Sequence, residues 1–184
     1  MDAFFDIYSG ISGNMVLGAL VDLGLDPVAL GEKLAALGLE GEFELEVNGV
    51  NRSGITGTHV QVVLSDSEGQ HAHRHFSEIK DIIESSALPP MVKKKAVDIF
   101  RNLALAEASV HGVEMEEIHF HEVGAVDAIV DIVGAAICIN LLDVDKIICS
   151  PVHVGGGMVR CQHGIIPVPA PATLELLKGI PVYS

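Results

Sequence analysis

Histidines at alternate positions are the residues of this sequence best suited to chemistry. His71, His73 and His75 follow i, i+2 spacing, so in an extended segment their three imidazoles point to one side. Imidazole nitrogens that converge on one cation suit nickel, zinc and copper far better than magnesium or calcium. The spacing therefore predicts a transition-metal site. The alternative is a flexible polar stretch that binds metals adventitiously.

A second histidine pair repeats this spacing. His119 and His121 flank Phe120, which we expect to face the core, and Glu122 follows directly. Imidazole and carboxylate groups together can hold a metal ion, so these residues are candidate ligands, with Glu122 also a candidate catalytic group. The alternative is that one histidine bonds to the backbone near a helix start and the other is exposed.

Two carboxylates one helical turn apart precede a long apolar stretch. Asp127 and Asp131 are spaced i, i+4, which places them on one face of a predicted helix made otherwise of Ala, Val and Ile. A buried carboxylate needs a partner, and a metal, the cation of a ligand or a basic side chain could serve. We treat both as candidate catalytic residues. Favourable interaction with the helix dipole could alone explain Asp127.

A glycine and serine loop joins a predicted strand to a predicted helix near the start of the chain. Free backbone N–H groups at such a helix start can bind a phosphate or carboxylate, although the loop is neither a Walker A nor a GxGxxG pattern and could simply be a tight turn. Asp6 could point into the same cleft, and His163 is a weaker candidate in a later turn. The candidate phosphate-binding residues are Ser9, Gly10, Ser12, Gly13 and Asn14.

The secondary structure expected around these residues indicates an α+β (mixed α/β) fold. It consists of a small sheet with an antiparallel hairpin, packed by several helices. We predict Ser77 as an N-cap, and a pairing of 158–161 back onto the preceding strand. Predicted strands cover 3–8, 43–47, 58–64 and 147–154, a histidine-containing loop lies around 65–76, and predicted helices cover 15–23, 27–37, 76–86, 92–111, 125–142 and 171–178.

Composition excludes several classes of partner. The 184 residues carry 11 basic and 25 acidic side chains, a formal charge of −14 that disfavours nucleic acids and anionic membrane surfaces. The most apolar run, 125–142, contains Asp127 and Asp131 and is typical of a buried helix. With no signal peptide pattern, we expect a cytoplasmic protein. Its cysteines, Cys138, Cys149 and Cys161, are expected to be reduced and mostly buried.

Three motifs together resemble one known family, over the whole length of the chain. They are Asp6-Ile7-Tyr8-Ser9-Gly10-Ile11-Ser12-Gly13-Asn14-Met15, His119-Phe120-His121-Glu122-Val123-Gly124-Ala125-Val126-Asp127 and His163-Gly164-Ile165-Ile166-Pro167-Val168-Pro169-Ala170-Pro171-Ala172-Thr173. In order and spacing the chain is similar to the nickel insertion proteins of the lactate racemase cofactor pathway. It departs from them at Asn14, where most relatives are expected to have Asp, and in its shorter first histidine cluster.

The resemblance implies a nickel chelatase, or cyclometallase of the lyase class. Such an enzyme inserts Ni²⁺ into pyridinium-3,5-bisthiocarboxylic acid mononucleotide to form the nickel-pincer cofactor. It also implies CTP with Mn²⁺ or Mg²⁺, bound by a C-terminal domain that would follow Ser184. We therefore expect 1–184 to be a single N-terminal domain of a longer or split protein, incomplete without that domain or a split-frame partner chain. The sequence leaves a homo-oligomer open.

Within this resemblance, the hypothesis places nickel near His119, His121 and Glu122, with Asp127 or Asp131 holding a ligand or orienting a histidine. The first histidine cluster would deliver metal from solvent. One alternative is a nickel-binding storage or delivery module without catalysis. Another is a metal-dependent hydrolase that activates a water molecule.

Overall fold

The computed structural model describes residues 1–65, 74–120, 125–161 and 164–184. Within these ranges the helices are α1 (Gly13–Asp22), α2 (Pro27–Ala35), α3 (Phe76–Ser85), α4 (Pro90–His111), α5 (Val126–Leu141) and α6 (Pro171–Leu176). The strands are β1 (Asp2–Phe5), β2 (Phe43–Arg52), β3 (Ile55–Leu64), β4 (Lys146–Cys149), β5 (Val152–His153), β6 (Met158–Cys161), β7 (Gly164–Pro167) and β8 (Val182–Tyr183). The α+β prediction is confirmed.

The predicted hairpin is present, and its strands are longer than the sequence pattern indicated. Strands β2 and β3 pair antiparallel from Phe43 opposite Leu64 to Arg52 opposite Ile55. The turn is confined to Ser53 and Gly54, which both have positive φ, as a tight hairpin turn requires. The polar residues at 48–52 suggested a turn, but cross-strand hydrogen bonding extends the strand through them.

Helix α5 forms the centre of the core and contacts α1, α2, α4 and β3. Apolar residues lie on all sides of this helix, so it is stable when neighbouring elements bury it on several sides at once. Val130, Val133 and Ile137 are all buried there. The prediction that 125–142 is a buried helix is confirmed. In the described part of the chain, no helix is long and apolar enough to cross a membrane.

Helix α1 packs closely against both the hairpin and α5, because glycines remove side chains at the contacts. A Cβ on Gly18 would lie 2.4 Å from the backbone oxygen of Thr58 in β3. A Cβ on Gly134 of α5 would lie 3.1 Å from the Leu17 side chain. These contacts hold the start of α1, with the loop before it, at a fixed position relative to α5.

The C-terminal third differs from the sequence prediction in two places. The predicted strand 147–154 is interrupted at Ser150, whose backbone N–H donates to Phe5 and whose hydroxyl accepts from the Ile7 N–H at 2.8 Å. Strand β6 pairs antiparallel with β7, Met158 opposite Pro167. It was wrongly expected to pair back onto the preceding strand, because β7 is the nearer partner along the chain.

Candidate functional site

The structure brings the two histidine regions together at one point. His75 and His119 form an isolated antiparallel bridge, and their ring centroids are 3.7 Å apart with a 46° tilt. His119 is exposed, whereas its neighbours Ile118 and Phe120 are buried, so the predicted alternation of inward and outward side chains is confirmed. Residues remote in sequence thus form one imidazole pair at the surface.

His75 also begins helix α3, at the N-cap position where Ser77 was expected. Its backbone N–H donates to the Glu78 carboxylate at 2.6 Å. The prediction of Ser77 was wrong because Phe76 is buried as the first helical residue, which moves the helix start two positions earlier. The position of the His75 backbone is therefore fixed by the helix that follows it.

Glu42 contacts both residues that flank the segment 66–73. Its backbone oxygen accepts from the Ser65 N–H at 3.0 Å, and its carboxylate accepts from Arg74 Nη2 at 2.9 Å. The Arg74 and Glu42 side chains are 14% and 22% exposed, so solvent screens this pair only in part. Sequence reasoning missed the pair, because the two residues share no local pattern.

Replacing Glu42 with glutamine is expected to lower the free energy of unfolding by about 1 to 2 kcal/mol, since Arg74 would lose its charged partner. The matched control is Asp98→Asn, which removes an exposed ion pair with Lys94 and should change stability by less than about 0.5 kcal/mol. Urea unfolding of both variants measures the difference. Equal effects would contradict a structural role for the Glu42 pair.

Asp131 lies against the start of α1. A Cβ built on Gly13 would lie 2.2 Å from Asp131 Oδ2, so only glycine leaves room for this carboxylate. Asp131 Oδ1 is buried and has no hydrogen-bond partner among the described residues. Burial, and then the negative charge of Asp127, raise the pKa of Asp131 from 3.8 to about 6. Asp127 itself is exposed, in the first turn of α5.

The loop before α1 leaves the helix start without a side-chain cap. Ser12 occupies the N-cap position, but its side chain accepts no hydrogen bond from the first turn. Its hydroxyl instead donates to the Asn14 side-chain oxygen. Ser9 and Ser12 are exposed, and Gly10 has a φ of 84°. The first backbone N–H groups of α1 are therefore accessible to an anion, next to Asp131.

The C-terminal strands form a second side of this loop, which sequence reasoning did not anticipate. The Tyr183 hydroxyl donates to the Tyr8 backbone oxygen at 3.2 Å, and its ring packs edge-on against His153 at 5.0 Å. A Cβ on Gly10 would lie 3.7 Å from the His153 backbone oxygen. No local pattern in the sequence indicated this contact, because Tyr8 and Tyr183 lie at opposite ends of the chain.

The described candidate residues thus form two groups, His75 with His119 and Asp131 with the α1 start. Among the ranges given above, no cluster of three or more His, Cys, Asp or Glu side chains is arranged to hold a metal. Asp6 is exposed just after β1, with no contact that assigns it a role. The remaining candidates lie outside the described residues: His71, His73, His121, Glu122 and His163.

For the cysteines, the expected free thiols are confirmed, whereas the expected burial is not. All three are free thiols, as expected, but only Cys138 is buried, whereas Cys149 is exposed and Cys161 half-buried. The expectation that they are mostly buried was wrong because β4 and β6 lie at the surface. Burial raises the pKa of the Cys138 thiol to about 12, so that thiol stays protonated at neutral pH.

Comparison with known families decides the relationship. The sequence profile of a family described as "Nickel insertion protein" matches residues 3–184. The chain belongs to the nickel insertion protein family. This agrees with the resemblance carried by the three sequence motifs.

Named relatives in this nickel insertion protein family are similar over nearly the whole chain. One from Desulfitobacterium hafniense, named pyridinium-3,5-bisthiocarboxylic acid mononucleotide nickel insertion protein, is 55% identical over 99% of the chain and 44% of its own length. A relative with the same name from Clostridium acetobutylicum is 48% identical over 98% of the chain and 50% of its own length. A putative nickel insertion protein from Wolinella succinogenes is 50% identical over 97% of the chain and 45% of its own length. The chain spans about half the length of these relatives. No solved structure matches the chain.

Proposed function

We propose that this chain takes part in inserting nickel into pyridinium-3,5-bisthiocarboxylic acid mononucleotide, which would yield the nickel-pincer cofactor of lactate racemase. The names of its relatives support this substrate. The observation that carries the proposal for this chain is the half-buried Asp131 carboxylate, whose Oδ1 has no hydrogen-bond partner among the described residues, beside the uncapped start of α1. A raised carboxylate pKa next to an anion-binding helix start is typical of a reaction site.

In this proposal the α1 start binds the substrate phosphate. Accessible N–H groups and the positive end of the helix dipole favour an anion there. The contributing residues are Ser9, Gly10, Ser12, Gly13 and Asn14. The phosphate would lie near Asp131, whose charge repels it, so binding would raise the pKa of Asp131 further and prepare this carboxylate to take up a proton.

Asp131 accepts the proton that leaves the ring carbon. As nickel is inserted, the electron pair of the C–H bond becomes the carbon–nickel bond, and the proton passes to the carboxylate. With a pKa of about 6, Asp131 is mostly ionised at neutral pH and still basic enough to accept a proton. The exposed Asp127, one helical turn away, keeps that pKa raised through its negative charge.

The imidazole pair receives nickel before insertion. His75 and His119 lie in contact at the surface, and neutral imidazole is a good ligand for this metal. Two imidazoles alone make an incomplete coordination shell, so we propose His71, His73, His121 and Glu122 as further ligands. Nickel then passes to sulfur and carbon ligands, whose softer, stronger coordination favours the transfer.

The complete activity, in this proposal, belongs to a protein of the relatives' length. The remaining half supplies a C-terminal domain, on the same or a separate chain, which binds CTP with Mn²⁺ or Mg²⁺. The enzyme would then be a cyclometallase of the lyase class acting in the cytoplasm.

Nickel titration tests the role of the imidazole pair. His119→Ala is expected to weaken Ni²⁺ binding at least tenfold in isothermal titration calorimetry, because it removes a ligand. His59→Ala, in β3 of the hairpin, is the matched control and should bind as the unsubstituted chain does. Unchanged affinity and stoichiometry in His119→Ala would remove the pair from the site. The triple variant His71→Ala/His73→Ala/His75→Ala tests the first cluster in the same way.

A second candidate function is a nickel storage or delivery module without catalysis. The contact between His75 and His119 favours it, since an imidazole pair can bind nickel without any substrate site. Titration with the pyridinium mononucleotide distinguishes the two functions. Binding that is lost on blocking the α1 start with Ser12→Asp supports insertion, whereas nickel binding without any mononucleotide binding supports delivery alone.

A further inference from the structure

The C-terminal quarter of the chain, residues 143–184, adds no described residue to the buried hydrophobic core, although α6 contacts α4. The buried core cluster runs from Leu17 to Cys138, and its partly buried neighbours end at Leu142. Beyond that point no described apolar side chain is buried, and several large ones are exposed, including Met158, Ile165 and Leu174. Single exposed apolar residues are ordinary, but nearly a quarter of a chain without a buried apolar residue is not.

The parallel strand pair β1 and β4 shows this exposure of apolar side chains most clearly. Parallel sheets occur almost only with both faces covered by other elements. Here Phe4 is 66% exposed, and Ile147 and Ile148, which are consecutive and so point to opposite faces, are 46% and 41% exposed. Each face of the pair therefore presents apolar side chains to solvent. Two isolated strands are also too few for a stable sheet.

Strands β4 and β5, which follow each other in the segment 146–154, each have one edge that no described strand occupies. The N–H of Ser150 donates to Phe5, and the N–H groups of Val152 and Val154 donate to the chain around β8. Alternate N–H groups of a strand point to the same side, so β1 and β8 occupy one edge in succession. No described strand pairs with the opposite edge. Such an edge is ready to accept another strand.

We propose that this edge and its two apolar faces bind the part of the family polypeptide that the relatives have outside the region matched by this chain. That part is about as long as this chain, since the relatives are covered over only 44% to 50% of their length. It adds at least one strand beside 146–154 and covers Phe4, Ile147 and Ile148. Ahead of α1, Tyr8 contacts Tyr183 of β8 and Gly10 lies against His153 of β5, so this assembly also completes the surroundings of the α1 start. The proposal is independent of the nickel chemistry.

Hydrogen exchange provides the first test. The amides aligned with Ile147 and Cys149 should exchange at least tenfold more slowly in the intact Desulfitobacterium hafniense relative than they do in this chain. The amides of β2 and β3 serve as the internal control and should exchange equally in both proteins. Equal exchange at the two β4 positions would overturn the proposal.

Photocrosslinking identifies the occupant. A benzophenone amino acid at the position of the intact relative aligned with Ile148 should form crosslinks to the part of the relative that this chain does not match. The position aligned with Ile55, exposed at the hairpin turn, is the control and should give none. Crosslinks to the matched region of a second copy would show that the face is a homo-oligomer interface and would overturn the proposal.

Discussion

Asp131→Asn is expected to lower turnover in nickel insertion about 100-fold or more while it stabilises the fold. The loss of turnover follows from the proposed role as proton acceptor, because an amide cannot accept the proton. Affinity for the mononucleotide should increase, since the charge that repels the phosphate disappears. Turnover is compared in the shortest form of the protein that converts the substrate when Asp131 is unchanged. Unchanged turnover would exclude Asp131 as the proton acceptor.

The gain in stability depends on pH in a definite direction. Folding raises the pKa of Asp131 from 3.8 to about 6, so the carboxyl group favours the folded state at low pH, and this contribution is lost as pH rises from about 4 through about 6. At pH 7 the asparagine variant should be more stable by about 1 to 2 kcal/mol, after allowance for partial solvent exposure. At pH 4 the advantage should vanish.

Chemical unfolding at pH 4 and pH 7 in the presence of a chelator measures this difference. Asp127→Asn is the matched control, because Asp127 is exposed on the same helix face and should alter stability by less than about 0.5 kcal/mol. A destabilised Asp131→Asn at pH 7 would show that the carboxylate has a stabilising partner in the fold. A stabilised but inactive variant is the result expected of a functional carboxylate.

Gly18→Ala is expected to destabilise the chain by about 3 kcal/mol or more. The new methyl group would lie 2.4 Å from the Thr58 backbone oxygen. A strand backbone cannot rotate away as a flexible side chain can, so α1 would have to move off the hairpin. Because α1 carries the loop and faces Asp131, the same variant should also weaken mononucleotide binding.

Gly31→Ala is the control for this substitution. Gly31 lies within α2, and a Cβ there has no neighbour within 4 Å. Alanine should therefore stabilise the helix by about 0.5 to 1 kcal/mol through its better helix propensity. Thermal and urea unfolding of both variants should move in opposite directions. Similar effects of the two substitutions would contradict the close contact between α1 and β3.

The parts of the fold that depend on local periodicity could be predicted from the sequence. The long apolar helix α5, the hairpin and the outward direction of His119 all follow from the spacing of apolar residues. Strand ends were less predictable, because the polar residues at 48–52 belong to a strand only through their cross-strand bonds. The break at Ser150 likewise depends on contacts with Phe5 and Ile7, which are remote in sequence.

The candidate site, like the fold, could be predicted from the sequence only where local spacing determines it. The sequence singled out Asp131 as a carboxylate in an apolar helix, yet its neighbour Gly13 could be found only from the packing of α1 on α5. Spacing marked two histidine regions, but not that His75 and His119 would be in contact. Pairings between distant segments depend on the tertiary fold, and no local pattern in the sequence encodes them.

If nickel binds at His75 and His119 as proposed, it has a mechanical role as well as a chemical one. The two residues flank the segment that contains α3 and α4, and next to them the Phe120 N–H donates a hydrogen bond of 3.4 Å to the Arg74 backbone oxygen. A cation bound by both rings would reversibly cross-link the two ends of the segment 75–119, as a disulfide does. Metal loading would then raise the melting temperature in proportion to its binding free energy. Release of the metal to the substrate would loosen the same helices again.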